Sequence, residues 1–320
     1  MELSVNETNE RQNAAPEGKE EKPHRAGKPK EKFGVFNVVL LVFLCLFSFV
    51  LFVVIFWSLI ASLTDGTMYE IEGVKYGFPI QYFTLDNYIN AYINLKVTIS
   101  SAQGNTEVYT LQLLFNSLVY AVGSSLIMTF VTCTMAYLSA KYPFRLSKII
   151  YNVVIVVMII PIVGELPSMS RMLTYVGLYN NIVGMYLMRA GFTNMYFLVF
   201  YATFKSVSWS YGESAFMDGA SHLRVYVSIF LPLVKSIFFT VFLLNFIVFW
   251  NEYQIPMVLL PSMPTIAQGV YEAKLSYDIA LAFTPSKIAV GMLVCVPTLV
   301  LFVVFNKRLM GNLSAGGLKG

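Results

Sequence analysis

The chain has 320 residues, 57% of them hydrophobic and only 12% charged, with a mean hydropathy of +0.64. A soluble domain would carry about twice that charge fraction, so the composition excludes an ordinary soluble globular protein. The formal net charge of +4 decides little, because in a membrane protein the placement of Lys and Arg sets orientation and their sum does not.

Residues 1–32 are rich in Glu, Lys, Pro, Asn and Gly and nearly lack large apolar side chains. Such a segment cannot bury enough surface to offset its ordering entropy, which predicts a disordered cytoplasmic tail. Its last third is basic, with Lys22, Arg25, Lys28, Lys30 and Lys32. The apolar run that follows, residues 33–63, is far longer than the roughly 7–15 residues of a cleavable signal core. It predicts a retained first helix with its amino end in the cytoplasm.

Residues 64–112 are polar and acidic, and read as an external loop whose Tyr69, Tyr76, Tyr82, Tyr88 and Tyr92 form an interfacial belt. Residues 113–140 predict a second helix, dense in small side chains that let transmembrane backbones approach. The basic turn 141–148 belongs in the cytoplasm. Residues 149–166 predict a third helix kinked near Pro161 and Gly164, and residues 180–204 a fourth, interrupted at Arg189-Ala190-Gly191. A charge at mid-bilayer costs at least about 2.5–3.5 kcal/mol, so Arg189 is expected near the outer surface. A cytoplasmic loop at 205–232 leads to a fifth helix over 233–253, an external loop at 254–284 with an amphipathic stretch, and a sixth helix over 285–305. Residues 307–320 form a glycine-rich cytoplasmic tail. The whole is an all-α polytopic membrane protein: runs of about 20 apolar residues, each enough to cross a hydrocarbon core, give about six transmembrane helices over residues 33–306.

Chemistry-bearing motifs are sparse. Cys45, Cys133 and Cys295 each sit alone in an apolar run, and the two histidines, His24 and His222, are far apart, so neither a disulfide framework nor a metal site is indicated. No G-x-x-x-x-G-K-[ST] phosphate loop, H-E-x-x-H, C-x-x-C or G-x-S-x-G occurs. If the protein drives uphill transport, another subunit must hydrolyse the ATP.

The informative stretch is Trp209 to Lys235, a polar, charge-bearing island between apolar runs. Residues 213–217 favour helix, Asp218-Gly219 is a turn dipeptide, and a second helix can follow until Pro232 interrupts it. The pattern Glu213, Ala215, Asp218, Gly219, Ala220, Ile229, Leu231, Pro232 resembles the E-A-A-x-x-D-G-A…I-x-L-P loop of permease subunits of bacterial ATP-binding-cassette importers. Ser208, Ser214 and Ser236 stand where that family usually has Pro, Ala and Pro. Phe83-Thr84-Leu85-Asp86-Asn87-Tyr88, Asn116-Ser117, Trp250-Asn251-Glu252 and the ending Ser314–Gly320 are similar to motifs of its carbohydrate, maltose-transporter-type branch.

The resemblance implies a non-catalytic subunit working with a second homologous permease, a pair of ATPase subunits that bind ATP and Mg, an extracellular solute-binding protein and a carbohydrate substrate. Membrane lipid is expected around it, nucleic acid is not a partner, and no cofactor is expected in this chain. It also implies that Glu213, Ala215, Asp218, Gly219, Ala220 and Pro232 form the element that couples ATP hydrolysis to movement of the helices. Glu213 would meet a basic side chain of the ATPase, and Ala215 and Ala220 would allow close approach. Gly219 would adopt positive φ, Asp218 would cap the second helix, and Pro232 would end the loop and set the angle of the fifth helix. Trp250, Asn251 and Glu252 are candidates for a gate or substrate path, and either permease of the pair could hold the sugar. A secondary transporter driven by an ion gradient is the alternative. It would place carboxylates within the spans, where only Glu165 and Glu252, near helix ends, are found.

Overall fold

In the computed structural model, which describes residues 34–71, 82–101, 104–142, 144–161, 163–275 and 278–315, nearly all regular structure is helical. The expected tail at 1–32, Tyr76, Pro143 and the last part of the glycine-rich ending, 316–320, lie outside the described residues. Two units are distinguished, residues 1–53 and 54–320. The described part of the first belongs to α1 (Val35–Ser62), a 28-residue helix about 42 Å long. Its residues 35–53 hold no Gly or Pro to break it, and their side chains are exposed throughout.

The second unit continues with α2 (Gly66–Ile71), α3 (Asp86–Asn94), a hairpin of β1 (Lys96–Ser101) and β2 (Gly104–Tyr109), then α4 (Thr110–Lys141), α5 (Arg145–Ile159), α6 (Leu166–Tyr175), α7 (Ile182–Arg189) and α8 (Met195–Ser206). After these come α9 (Ser210–Met217), α10 (His222–Val225), a π-helical turn (Tyr226–Phe230), α11 (Leu231–Leu233), α12 (Lys235–Trp250), α13 (Gln254–Leu259), α14 (Ile266–Leu275), a 3₁₀ turn (Ile279–Leu281) and α15 (Thr284–Ala315).

Helix α4 is the axis against which α7, α8, α12 and α14 pack. Its small residues work as expected: Ser117, Ala121, Ser124, Ser125, Thr129 and Ala136 are buried, and the Tyr186 ring fills the space a side chain at Gly123 would need, 2.3 Å from where its Cβ would stand. Buried polar groups on α4 are matched across the interface. Asn116 donates to the Pro264 carbonyl at 3.0 Å, Ser117 accepts from the Ile266 N–H that opens α14 at 2.6 Å, and Thr129 accepts from Asn245 at 3.0 Å. The Asn116-Ser117 pair thus grips the start of α14. Asn87 plays a similar part: it donates to the Ser62 and Thr64 carbonyls at 3.0 and 2.6 Å and accepts from Ser286 at 2.9 Å.

The spans differ from the sequence expectation in three places. Residues 149–166 are not one kinked helix: α5 stops at Ile159, and Gly164, at φ 75, separates it from α6. The last helix does not stop at residue 305, because α15 runs on to Ala315, whereas residues 180–204 form α7 and α8 with the expected break after Arg189. The fifth helix starts at Lys235 and lies at 77° to residues 222–233. Among the described residues, α1, α4 and residues 284–305 of α15 are long and apolar enough to cross a membrane alone, and the bent pair 222–233 and 235–250 adds a fourth span if it counts as one. The β1–β2 hairpin was not expected at all. It pairs Lys96 with Tyr109 and Thr98 with Glu107 and buries Val97 and Val108. The amphipathic stretch of the 254–284 loop forms α14, which buries Ile266, Ala267, Gln268, Gly269 and Ala273.

Candidate functional site

The 205–232 loop folds as helix, turn and helix for local reasons. Val207 leaves α8 in an extended conformation, and Trp209 precedes α9. Glu213 lies exposed in the first turn of α9, where a carboxylate interacts favourably with the amino end of the helix dipole. At the other end Asp218 is the C-cap and Gly219 follows at φ 80. The Ala220 N–H donates to the Ala215 carbonyl at 2.9 Å and the Gly219 N–H to that of Phe216 at 3.0 Å. This pair of bonds is the Schellman motif, which needs a left-handed residue just past the cap and favours apolar contact between the residues flanking it. The spacing Ala215, Asp218, Gly219, Ala220 is therefore the local chemistry of one helix end, and Ala215 and Ala220 face the apolar cluster beneath.

Two expectations about this loop are corrected. The second helix is capped by Ser221, whose hydroxyl accepts from the Arg224 N–H at 3.4 Å, and not by Asp218. Asp218 belongs to the end of α9, three residues too early to reach that position. Pro232 does not end the loop. It lies within α11, and the chain turns two residues later, at Val234. Proline lacks an N–H and its ring crowds the carbonyl four residues back. The backbone answers by widening the preceding turn, with the Leu231 N–H reaching Tyr226 five residues back.

Beneath the loop lies a cluster of rings. Trp209 stacks on Phe230 at 5.8 Å and Tyr137 on Tyr226 at 4.6 Å, while Tyr142 meets Trp209 edge-on at 5.5 Å and hydrogen-bonds His222 at 2.9 Å. Gly212 is buried against Trp209 and Phe230, where a Cβ would stand 3.3 and 3.4 Å from the two rings. Lys141 donates to the Val207 carbonyl and lies 5.2 Å from the centre of the Phe230 ring. The outward surface carries Tyr211, Leu223 and Met217, the last 89% exposed. Sequence reasoning missed Met217 and Leu223. Large apolar residues in an otherwise polar loop were the available signal.

The second group of candidates lies elsewhere. Trp250 is buried and donates through its indole N–H to the Val294 carbonyl at 3.1 Å. Asn251 turns back onto the Ile247 carbonyl of its own helix at 2.7 Å. Glu252 pairs with Arg189 and accepts from Tyr120, to which Arg189 also donates at 2.7 Å. The Arg189 guanidinium lies 4.6 Å from the centre of the Phe249 ring. Arg189 is thus a partnered, mostly buried charge, and its acceptor is a residue the sequence had singled out for another reason. Among the described residues no cluster of His, Cys, Asp and Glu could hold a metal ion.

Broken apolar helices thus pack around α4, and a helix–turn–helix loop joins α8 to α12. Residues 129–315, more than half of the chain and all of the loop, match the family of binding-protein-dependent transport system inner membrane components, and the protein belongs to that family. It is 24% identical over 298 residues, 91% of each chain, to the diacetylchitobiose uptake system permease protein NgcG of Streptomyces coelicolor. It is 23% identical over 294 residues to the arabinooligosaccharides transport system permease protein AraQ of Bacillus subtilis, covering 90% of this chain and 98% of that one. A chain in the crystal structure of a bacterial ABC transporter involved in the import of the acidic polysaccharide alginate shares its fold, with a TM-score of 0.67 at 20% identity over 85% of this chain and 96% of that one.

Proposed function

We propose that this protein is a permease subunit of a carbohydrate importer and that residues 205–232 couple it to an ATP-hydrolysing partner. Relatives named for disaccharide and oligosaccharide uptake support the substrate class. The observation that carries the coupling role is the Schellman-closed end of α9, seated on the ring cluster through Ala215 and Ala220. A loop that transmits force needs a fixed shape, and here both its internal turn and its floor are fixed. Glu213, Asp218 and Met217 are exposed and form the docking face, with Glu213 meeting a basic side chain of the ATPase. ATP and magnesium stay in that partner. A second permease and a solute-binding protein complete the assembly.

In this reading residues 1–32, 141–148, 205–232 and 307–320 are cytoplasmic, and 64–112 and 254–284 face outward, following the Lys and Arg asymmetry. ATP-driven closure of the partner turns the path from outward to inward facing by rigid-body motion of helix groups.

The test is Glu213→Ala and Gly219→Pro in the assembled complex, with uptake of labelled diacetylchitobiose, arabino-oligosaccharide and melibiose as probes. Both variants should insert in the membrane and lose transport of whichever sugar the unaltered complex takes up. Transport at the unaltered rate with the ATPase still bound would overturn the coupling role. Uptake of none of the three probes by the unaltered complex would overturn the substrate class.

A further inference from the structure

We propose that Lys141 is a positioning residue that fastens both ends of the 205–232 loop to the end of α4, so that loop and helix move as one body. The proposal rests on the coupling role given to that loop. Lys141 is the last residue of α4 and only 8% exposed, an uncommon place for an ammonium group. Among the described residues it makes no ion pair. Its Nζ donates to the carbonyl of Val207, the first residue after α8, and it lies over the ring of Phe230, the last residue of the π-helical turn. One cation therefore touches the first residue after α8 and a residue two positions before Pro232, near the loop's other end.

A simpler account is that a cation at a helix carboxyl end complements the dipole. That account would aim the ammonium at the last carbonyls of α4 itself. The structure aims it across to the end of α8 instead. Its neighbours on α4 make the same pattern: Tyr137, one turn earlier, lies 5.4 Å from Phe204 of α8 and 5.2 Å from Phe230, and Tyr142, the next residue, reaches Trp209 and His222. The rings supply the floor, and a ring contact can slide. The Lys141 bond to a backbone carbonyl fixes the register, and its stem packs among apolar groups while the head keeps its acceptor.

The test uses the complex with its ATPase subunits, in a background where Cys45, Cys133 and Cys295 are Ala, with spin labels at Leu138→Cys on α4 and Leu223→Cys on the loop. Both positions are exposed. The interlabel distance should be single and narrow, and should change by less than about 2 Å when MgATP and vanadate are added, the scale of a small helix shift. Lys141→Met should broaden the distribution and let it move with nucleotide by more than that amount. Lys141→Arg, which keeps the donors and the cation over the ring, should restore the narrow distance. A Met variant as narrow as the unaltered protein overturns the proposal, as does a nucleotide-driven shift in the unaltered protein. If the Met variant does not assemble, Lys141→Gln is read in its place with the same two outcomes. The coupling role itself is judged separately, by transport in the Gly219→Pro variant. Uncoupling there with a narrow distance in Lys141→Met overturns the pin alone.

Discussion

Arg189, mostly buried, and Lys141, buried, are both cations lying over an aromatic ring, yet they are held by different means. Arg189 closes the junction of α7 and α12 with a carboxylate and a phenol as partners and Phe249 beneath it. Lys141 closes the junction of α4 with the loop using a carbonyl and Phe230. A guanidinium facing a carboxylate has one good geometry and leaves an uncompensated charge if either partner is removed. A lysine bonded to a carbonyl leaves only an unmet dipole. Charge pairing is thus placed where the helices meet each other, and the softer contact where the loop meets them.

The largest expected effect tests the stiff side of that contrast. Arg189→Met leaves the Glu252 carboxylate without its cation and should cost about 1.5–3 kcal/mol, the scale of a hydrogen bond to a charged group, read as a lower unfolding midpoint in detergent. Adding Glu252→Gln should recover much of the loss, and a single substitution that costs nothing measurable would erase the contrast. Next is Gly219→Ala, which forces a side chain into the left-handed region for about 1–2 kcal/mol. Its effect should be confined to the loop, as faster hydrogen exchange at the Ala220 and Gly219 amides. On the soft side, Lys141→Met should lower stability by only about 1 kcal/mol, the scale of one hydrogen bond. A loss as large as that of Arg189→Met would make the two junctions alike.

The smallest effect lies in the hairpin, where Lys96 and Glu107 pair at 2.6 Å in the open. The bond from Lys96 holds the Glu107 carboxyl below its usual range, and that from Glu107 holds the Lys96 ammonium above its own. The carboxylate's share of hairpin stability is present above the ordinary Glu range and is lost as pH falls through the lowered value. The ammonium's share is present below the ordinary Lys range and is lost as pH rises through the raised one. Hairpin amide protection, taken relative to the intrinsic exchange rate at each pH, should therefore be greatest between these limits and should fall with added salt.

How much of this was legible in the sequence depends on how local each feature is. The α9 turn could be read because a Schellman end is written within six residues, with glycine at the one position needing positive φ. Pro161 and Gly164 were visible as helix-weakening residues, but hydropathy alone does not separate a kinked span from two short helices. The hairpin carried a usable signal, Val97 and Ile99 alternating toward Gly104, which the polar composition of the segment masked. The partners of Arg189 and Asn87 stand 63 and 199 residues away, and no spacing rule reaches that far. The capping role given to Asp218 failed because the turn consumes Asp218 in ending one helix, leaving Ser221 to start the next.

The widened turn at Tyr226–Phe230 makes the chain's length there a functional quantity. The i→i+5 bond already absorbs one extra residue. An α-helix advances about 100° per residue, so adding a second residue to this turn would swing everything upstream of Pro232 by that angle relative to α12. The Glu213 face would then point away from where it now projects, with every side chain of the loop still intact. Point substitutions in the turn are absorbed one contact at a time, whereas a one-codon insertion acts like a slipped gear tooth. The segment should tolerate a changed residue far better than an added one.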